Sequence, residues 1–178
     1  MSKDNTLTLH YLNEDDRAYG LAGMVISLAS LNAIDRVAQV SLDAIGPMVE
    51  FSHEYYFAGS PSISPKTTWD NLVNNFHLTT SMVVSNILAR SLVRLKEEAP
   101  ENLFREVYEE VEKEGKDTCA LEEDEIEGLY NDALHRSLRI FRNRRLYPAI
   151  DEFARVISVK RNLSGRELLD ELHLLELI

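Results

Sequence analysis

From Asn71 to Ala89 the chain carries no acid, lysine or arginine, and its apolar residues recur at helical spacing. Trp69, Leu72, Val73, Phe76, Val83, Val84, Ile87 and Leu88 follow the i, i+3, i+4, i+7 pattern of one helical face, with Thr80 inside the stripe. Leu78, Met82, Ala89 and Val93 extend apolar character to other faces, so the helix is predicted to be covered on most sides. It is placed at Thr68–Glu98, with Thr68 as N-cap and Asp70 at the positive end of the dipole.

A second long helix is expected from Asn13, an N-cap followed by Glu14, Asp15 and Asp16 in the first turn, to Ile45, where Gly46-Pro47 stops it. Ala18–Ile34 holds seventeen uncharged residues rich in Ala, Gly and Ser. Small side chains permit close approach of another helix, so the segment suits the middle of a bundle or a dimer seam. Ser27, Ser30, Asn32 and Gln39, the preceding acids and the apolar periodicity through Val37, Val40 and Ile45 favour a buried helix over a membrane span.

Between the two lie the least decided residues. Met48–Phe57 reads as a strand with Val49, Phe51, His53, Tyr55 and Phe57 on one face, or as a helix in which Glu50 and His53 are neighbours. No other stretch offers a convincing partner strand, so the reading leans to helix. Residues 58–68, with two prolines, a glycine and several hydroxyls, form one irregular loop, and residues 1–12 are a lead-in.

After Pro100 an acidic helix is expected over Glu101–Glu114, ended by Gly115, with Lys116–Asp124 as a charged turn. A further helix runs from about Leu121 to Asn143 with Ile126, Tyr130, Ala133 and Phe141 inward; Pro148 opens another, and Ser164 with Glu167 forms a capping box for the last. The expected fold is thus all-α, a single-domain antiparallel bundle over residues 1–178 of about six helices with two long central ones.

The chain has 178 residues, a net charge of −11 and one cysteine, Cys119. The acidic balance disfavours nonspecific binding to nucleic acid or anionic lipid. A lone cysteine excludes an intrachain disulfide, and the polar, acidic start does not resemble a signal peptide, so the expected compartment is the cytoplasm. Charge is nevertheless segregated. Glu97–Asp132 holds fifteen acids and three basic residues, whereas Ala133–Arg166 holds nine basic residues and two acids. Arg136, Arg139, Arg142, Arg144 and Arg145 could form an anion patch for phosphate or nucleic acid; the plainer expectation is that neighbouring helices of opposite sign complement one another.

Chemistry-grade motifs are few. Glu50-x-x-His53, Asp132-x-x-His135 and Asp170-x-x-His173 each place a carboxylate and an imidazole on one helical face, the spacing by which four-helix bundles hold iron, manganese or zinc. Acids are abundant enough for such spacings to arise by chance, and E-x-x-E spacings such as Glu106/Glu109 carry no information in so dense a stretch. His77 lies on the apolar side of the central helix and reads as a neutral core histidine donating to a hydroxyl or carbonyl. No nucleophile elbow is present, and Cys119 beside Asp117 and Glu122 lacks a positive environment. The preferred function is therefore a non-catalytic module, without cofactor, that self-associates or binds another protein. A carboxylate–histidine metalloprotein and an anion binder through the arginines are the alternatives.

Overall fold

The computed structural model describes residues 7–53 and 65–178, with the backbone alone at positions 65, 67 and 68. Among them, six α-helices and a small sheet follow in the order α1 (Glu14–Ser30), β1 (Val37–Ser41), β2 (Val49–Phe51), α2 (Pro65–Leu88), α3 (Glu101–Cys119), α4 (Glu123–Phe141), α5 (Tyr147–Lys160), β3 (Asn162–Ser164) and α6 (Gly165–Leu174). Short 3₁₀ turns occupy Ile34–Arg36 and Arg144–Leu146, and α2 continues into a π-helical segment, Ala89–Leu95.

The molecule is mostly helical, and the sheet corrects the all-α expectation. Its order is β2-β1-β3, with both pairs antiparallel. β1 takes the place of the predicted C-terminal third of the first helix, which stops at Ser30; Asn32 then turns the chain at a φ of 53°. A bulge between Val37 and Gln39 shifts the register by one residue, so Val37 and Val40 both point inward although they are three apart. That spacing imitates a helical stripe. Ile45 and Gly46, placed at the end of a helix from sequence, sit exposed in the β1–β2 connection.

The lean of Met48–Phe57 toward helix is corrected at Val49–Phe51, which pairs with β1; positions 54–57 lie outside the described residues, as do 1–6 of the lead-in and 58–64 of the predicted loop. Helix α2 begins three residues before Thr68, at Pro65, a residue suited to a first turn because its missing N–H has no intrahelical partner there. Helix α3 runs through Gly115 instead of ending at it. A Cβ at Gly115 would stand 2.9 Å from Ile126 Cδ1 and 3.0 Å from Phe76 Cζ, so glycine serves close packing there. The helix ends at Ala120, whose φ is 48°, and the Leu121 N–H donates back to the Gly115 carbonyl at 3.1 Å. The caps at Asn13 and Ser164 form as expected, the latter as a full capping box.

The buried apolar residues form one continuous cluster in which α2 packs chiefly on α1 and α4, and α1 also on α5. Small residues set the α1–α2 distance: a Cβ at Gly23 would lie 2.4 Å from the Ser85 carbonyl oxygen and 2.7 Å from Ala89 Cβ. Asp16 meets Arg90 and Gly23 meets Ser85, so α1 and α2 run in opposite directions. The small-residue run is thus used within the chain, since Ala18, Leu21, Ala22 and Val25 have no exposed surface. No helix among the described residues is long and apolar enough to cross a membrane.

Candidate functional site

A buried polar constellation joins the start of α1 to the π-helical segment. Arg90 and Asp16 are both fully buried. Arg90 Nε donates to Asp16 Oδ1 at 2.9 Å and Nη2 to Oδ2 at 2.7 Å, a two-point pair; Nη2 also donates to the His10 carbonyl at 3.0 Å. Asp16 Oδ2 accepts from the Leu12 N–H at 2.9 Å, and Oδ1 from Arg94 Nη1 at 3.2 Å. The Arg90 guanidinium lies 4.8 Å from the Tyr11 ring centre, and the Tyr11 hydroxyl accepts from Asn86 Nδ2 at 2.7 Å. Burial alone would raise the Asp16 carboxyl, but the bonds from Arg90 and Leu12 and the charges of Arg90 and Arg94 outweigh it and hold Asp16 below the usual aspartate range. Every oxygen of the carboxylate is occupied, so the cluster is a lock between segments and not an open reaction site. Sequence reasoning missed it: Asp16 read as a helix-dipole acid, and Arg90 as the end of the uncharged run. The available signal was a lone cation one turn beyond Asn86 and Ile87 on a helix covered on most sides, which needs a buried counter-charge.

The seam between α2 and α4 is different. His77 Nε2 stands 3.2 Å from Asp132 Oδ2, but without the alignment of a hydrogen bond; Arg136 Nη2 reaches the same oxygen at 3.4 Å. One turn along, Ser81 is 1% exposed, and deeper still the Ser85 and Ser137 hydroxyls bond each other at 2.8 Å. Among the described residues His77 Nε2, Ser81 Oγ and Arg136 Nε are buried without a hydrogen-bond partner of good geometry. Desolvation lowers the His77 pKa, with Arg136 acting in the same direction against the pull of Asp132. Histidine, aspartate and serine here invite comparison with a nucleophilic triad. Ser81 itself is sealed from solvent, 1% exposed.

The three acid-x-x-His pairs are dispersed. Glu50 lies on β2, where its carboxylate accepts from Gln39 Nε2, and His53 is exposed just beyond the strand. Asp132 turns to His77 and Arg136 while His135 is exposed, and Asp170 and His173 lie exposed on α6. Among the described residues no three His, Cys, Asp or Glu side chains come together as a group that could hold a metal ion. Cys119 is buried, and burial with the nearby charge of Glu114 raises its thiol.

Among the described residues the acidic and basic stretches do little to neutralise each other, although Arg155, Lys160 and Arg161 pair with other acids. One cross-element ion pair joins the acidic and basic stretches among the described residues, Arg142 to Glu98 at 3.5 Å; Arg136 instead pairs within α4. Among the described residues Arg139, Arg144 and Arg145 make no ion pair, and neither do Glu106, Glu109, Glu110, Glu114 or Asp117 on α3. Arg144 borders a cavity of about 370 Å³ with Lys96, Tyr147, Leu92, Glu97 and Glu98. A second cavity of about 400 Å³ lies beside α3, lined by Leu9, Val83, Val107 and Val111, by Glu110, Glu114 and Asp117, and by Lys113 and Thr118.

Compared with protein-family models the chain matches none, and no curated protein matches it.

Proposed function

We propose that the chain is a non-catalytic module that binds protein, a second copy of itself included, through oppositely charged faces. The same reading takes the fold as one domain, an antiparallel helical bundle carrying the small sheet at one side. The observation that carries it is charge left unpaired among the described residues: α3 presents Glu106, Glu109, Glu110, Glu114 and Asp117 without ion-pair partners, while the end of α4 and the turn before α5 present Arg139, Arg144 and Arg145 likewise. Complementary potentials of this kind steer association and fix its orientation more than they add affinity. Sedimentation velocity across a salt series tests it. Self-association is expected at low salt, weakening as salt rises, and lost in Arg144→Glu/Arg145→Glu, both residues being exposed. A protein that stays monomeric at low salt removes the self-association half of the reading.

The same three unpaired arginines favour anion binding as a second reading. Retention on heparin at physiological salt that disappears when Arg139, Arg144 and Arg145 are replaced by glutamine would support it over protein binding.

A further inference from the structure

We infer that the cleft between the Leu9 segment and α3 is a docking groove for a basic amphipathic helix of a partner protein. The inference rests on the protein-binding reading above and supplies the class of partner. The groove has the two parts such a ligand needs. Its floor is apolar: Val107 and Val111, one turn apart on α3, lie beside Val83 of α2, and Leu9, 40% exposed, closes the opposite side. Its rim is acidic: Glu110, Glu114 and Asp117 stand at i, i+4 and i+7, a single line along α3 next to the valines.

That line spans about 10 Å at the rise of an α-helix, two turns, and among the described residues none of its three carboxylates has an ion-pair partner. An apolar stripe flanked by lysines or arginines at the same spacing would place its anchors on the valines and its cations against the acids, the helix-in-groove mode of recognition. Lys113 lines the groove as well, so among the described lining residues three acids stand against one cation. Anionic or purely apolar segments would meet three uncompensated carboxylates. At about 400 Å³ the groove takes a few anchoring side chains, with the rest of the partner helix lying across the surface.

The probe is a synthetic peptide with leucines at i, i+3, i+4 and i+7 and lysines on the flanks, compared with a scrambled peptide of the same composition. Binding is followed by fluorescence anisotropy and mapped by amide chemical shifts. The helical peptide is expected to shift the amides around Leu9, Val83, Val107 and Val111. Its affinity is expected to fall at least tenfold in Glu110→Lys/Glu114→Lys/Asp117→Lys and in Leu9→Glu. An equal reversal elsewhere, Glu123→Lys/Asp124→Lys/Glu127→Lys on exposed positions of α4, is expected to change it less than twofold.

No binding, equal binding of the scrambled peptide, or an equal loss in the α4 variant overturns the inference, the last two because they report bulk electrostatics. A simple alkylamine that perturbs the same amides as strongly as the peptide also overturns it, since the groove would then be a small-molecule pocket. Salt-dependent self-association that survives any of these results leaves the broader reading standing, so the two fail separately. The triple charge reversal is expected to weaken self-association as well, since it removes acids of the α3 face; if Leu9→Glu, which leaves those acids in place, abolishes self-association, the occupant is a second copy of this chain, and the inferred partner is wrong.

Discussion

Helix α2 has two polar faces that its neighbours treat in opposite ways. Toward α1, Arg90 and Asn86 are buried and answered: the guanidinium meets both oxygens of Asp16, a backbone carbonyl and an aromatic ring. Toward α4, Ser85 finds Ser137, but Ser81 Oγ and His77 Nε2 find no hydrogen-bond partner. Buried polar groups cost stability unless paired, so the first face fixes the arrangement of segments, whereas the second buries a Ser81 hydroxyl that makes no bond across the seam among the described residues.

Removing a member of the answered face has the largest expected effect. Asp16→Ala leaves Arg90 buried without its counter-charge, and urea unfolding is expected to show a loss of about 3–5 kcal/mol. The same pair predicts acid sensitivity. The folded-state pKa of Asp16 lies below the unfolded value, so its contribution is fully present above about pH 4 and disappears as pH falls through the folded pKa. Stability curves of the natural protein should therefore drop more steeply in acid than those of Asp16→Asn. A loss under about 1 kcal/mol in Asp16→Ala would place the pair among weak surface interactions and break the comparison.

Next comes Gly23→Ala. The added Cβ would stand 2.4 Å from the Ser85 carbonyl, a backbone atom that cannot swing aside, so α1 must move off α2. About 1–3 kcal/mol is expected by thermal or urea unfolding, from overpacking and from the strain passed to the Asp16–Arg90 geometry. Wild-type stability would show that the two helices adjust freely.

The smallest effect is expected on the other face. Ser81→Ala removes a buried hydroxyl that has no partner, so the change should be neutral or stabilising by up to about 1 kcal/mol. Destabilisation matching that of Gly23→Ala would mean that Ser81 is answered after all, and the contrast between the faces would vanish.

Some of this was legible in the chain. The uncharged run from Asn71 to Ala89, the Asn13 and Ser164 caps and the apolar stripes of α4 and α5 specify helices locally, because periodicity and capping depend on residues within a turn or two of each other. The seam of His77 with Asp132 was half visible: both residues were singled out, but each with the wrong companion in view, since the partner lies across two helices.

By itself the sequence determined a mostly helical chain, the segregation of its charge and the small-residue surface that lets helices approach. Tertiary structure alone decided that Val37 and Val40 belong to a bulged strand, because their spacing of three satisfies a helical stripe and a bulged strand equally, and only the partners Val49, Phe51 and Leu163 select between them. It alone decided that Gly115 packs and does not terminate, and that Asp16 is not a surface acid in a first turn. Its partner is 74 residues away, a separation at which local rules carry no signal and burial of the Arg90 charge supplies the whole reason.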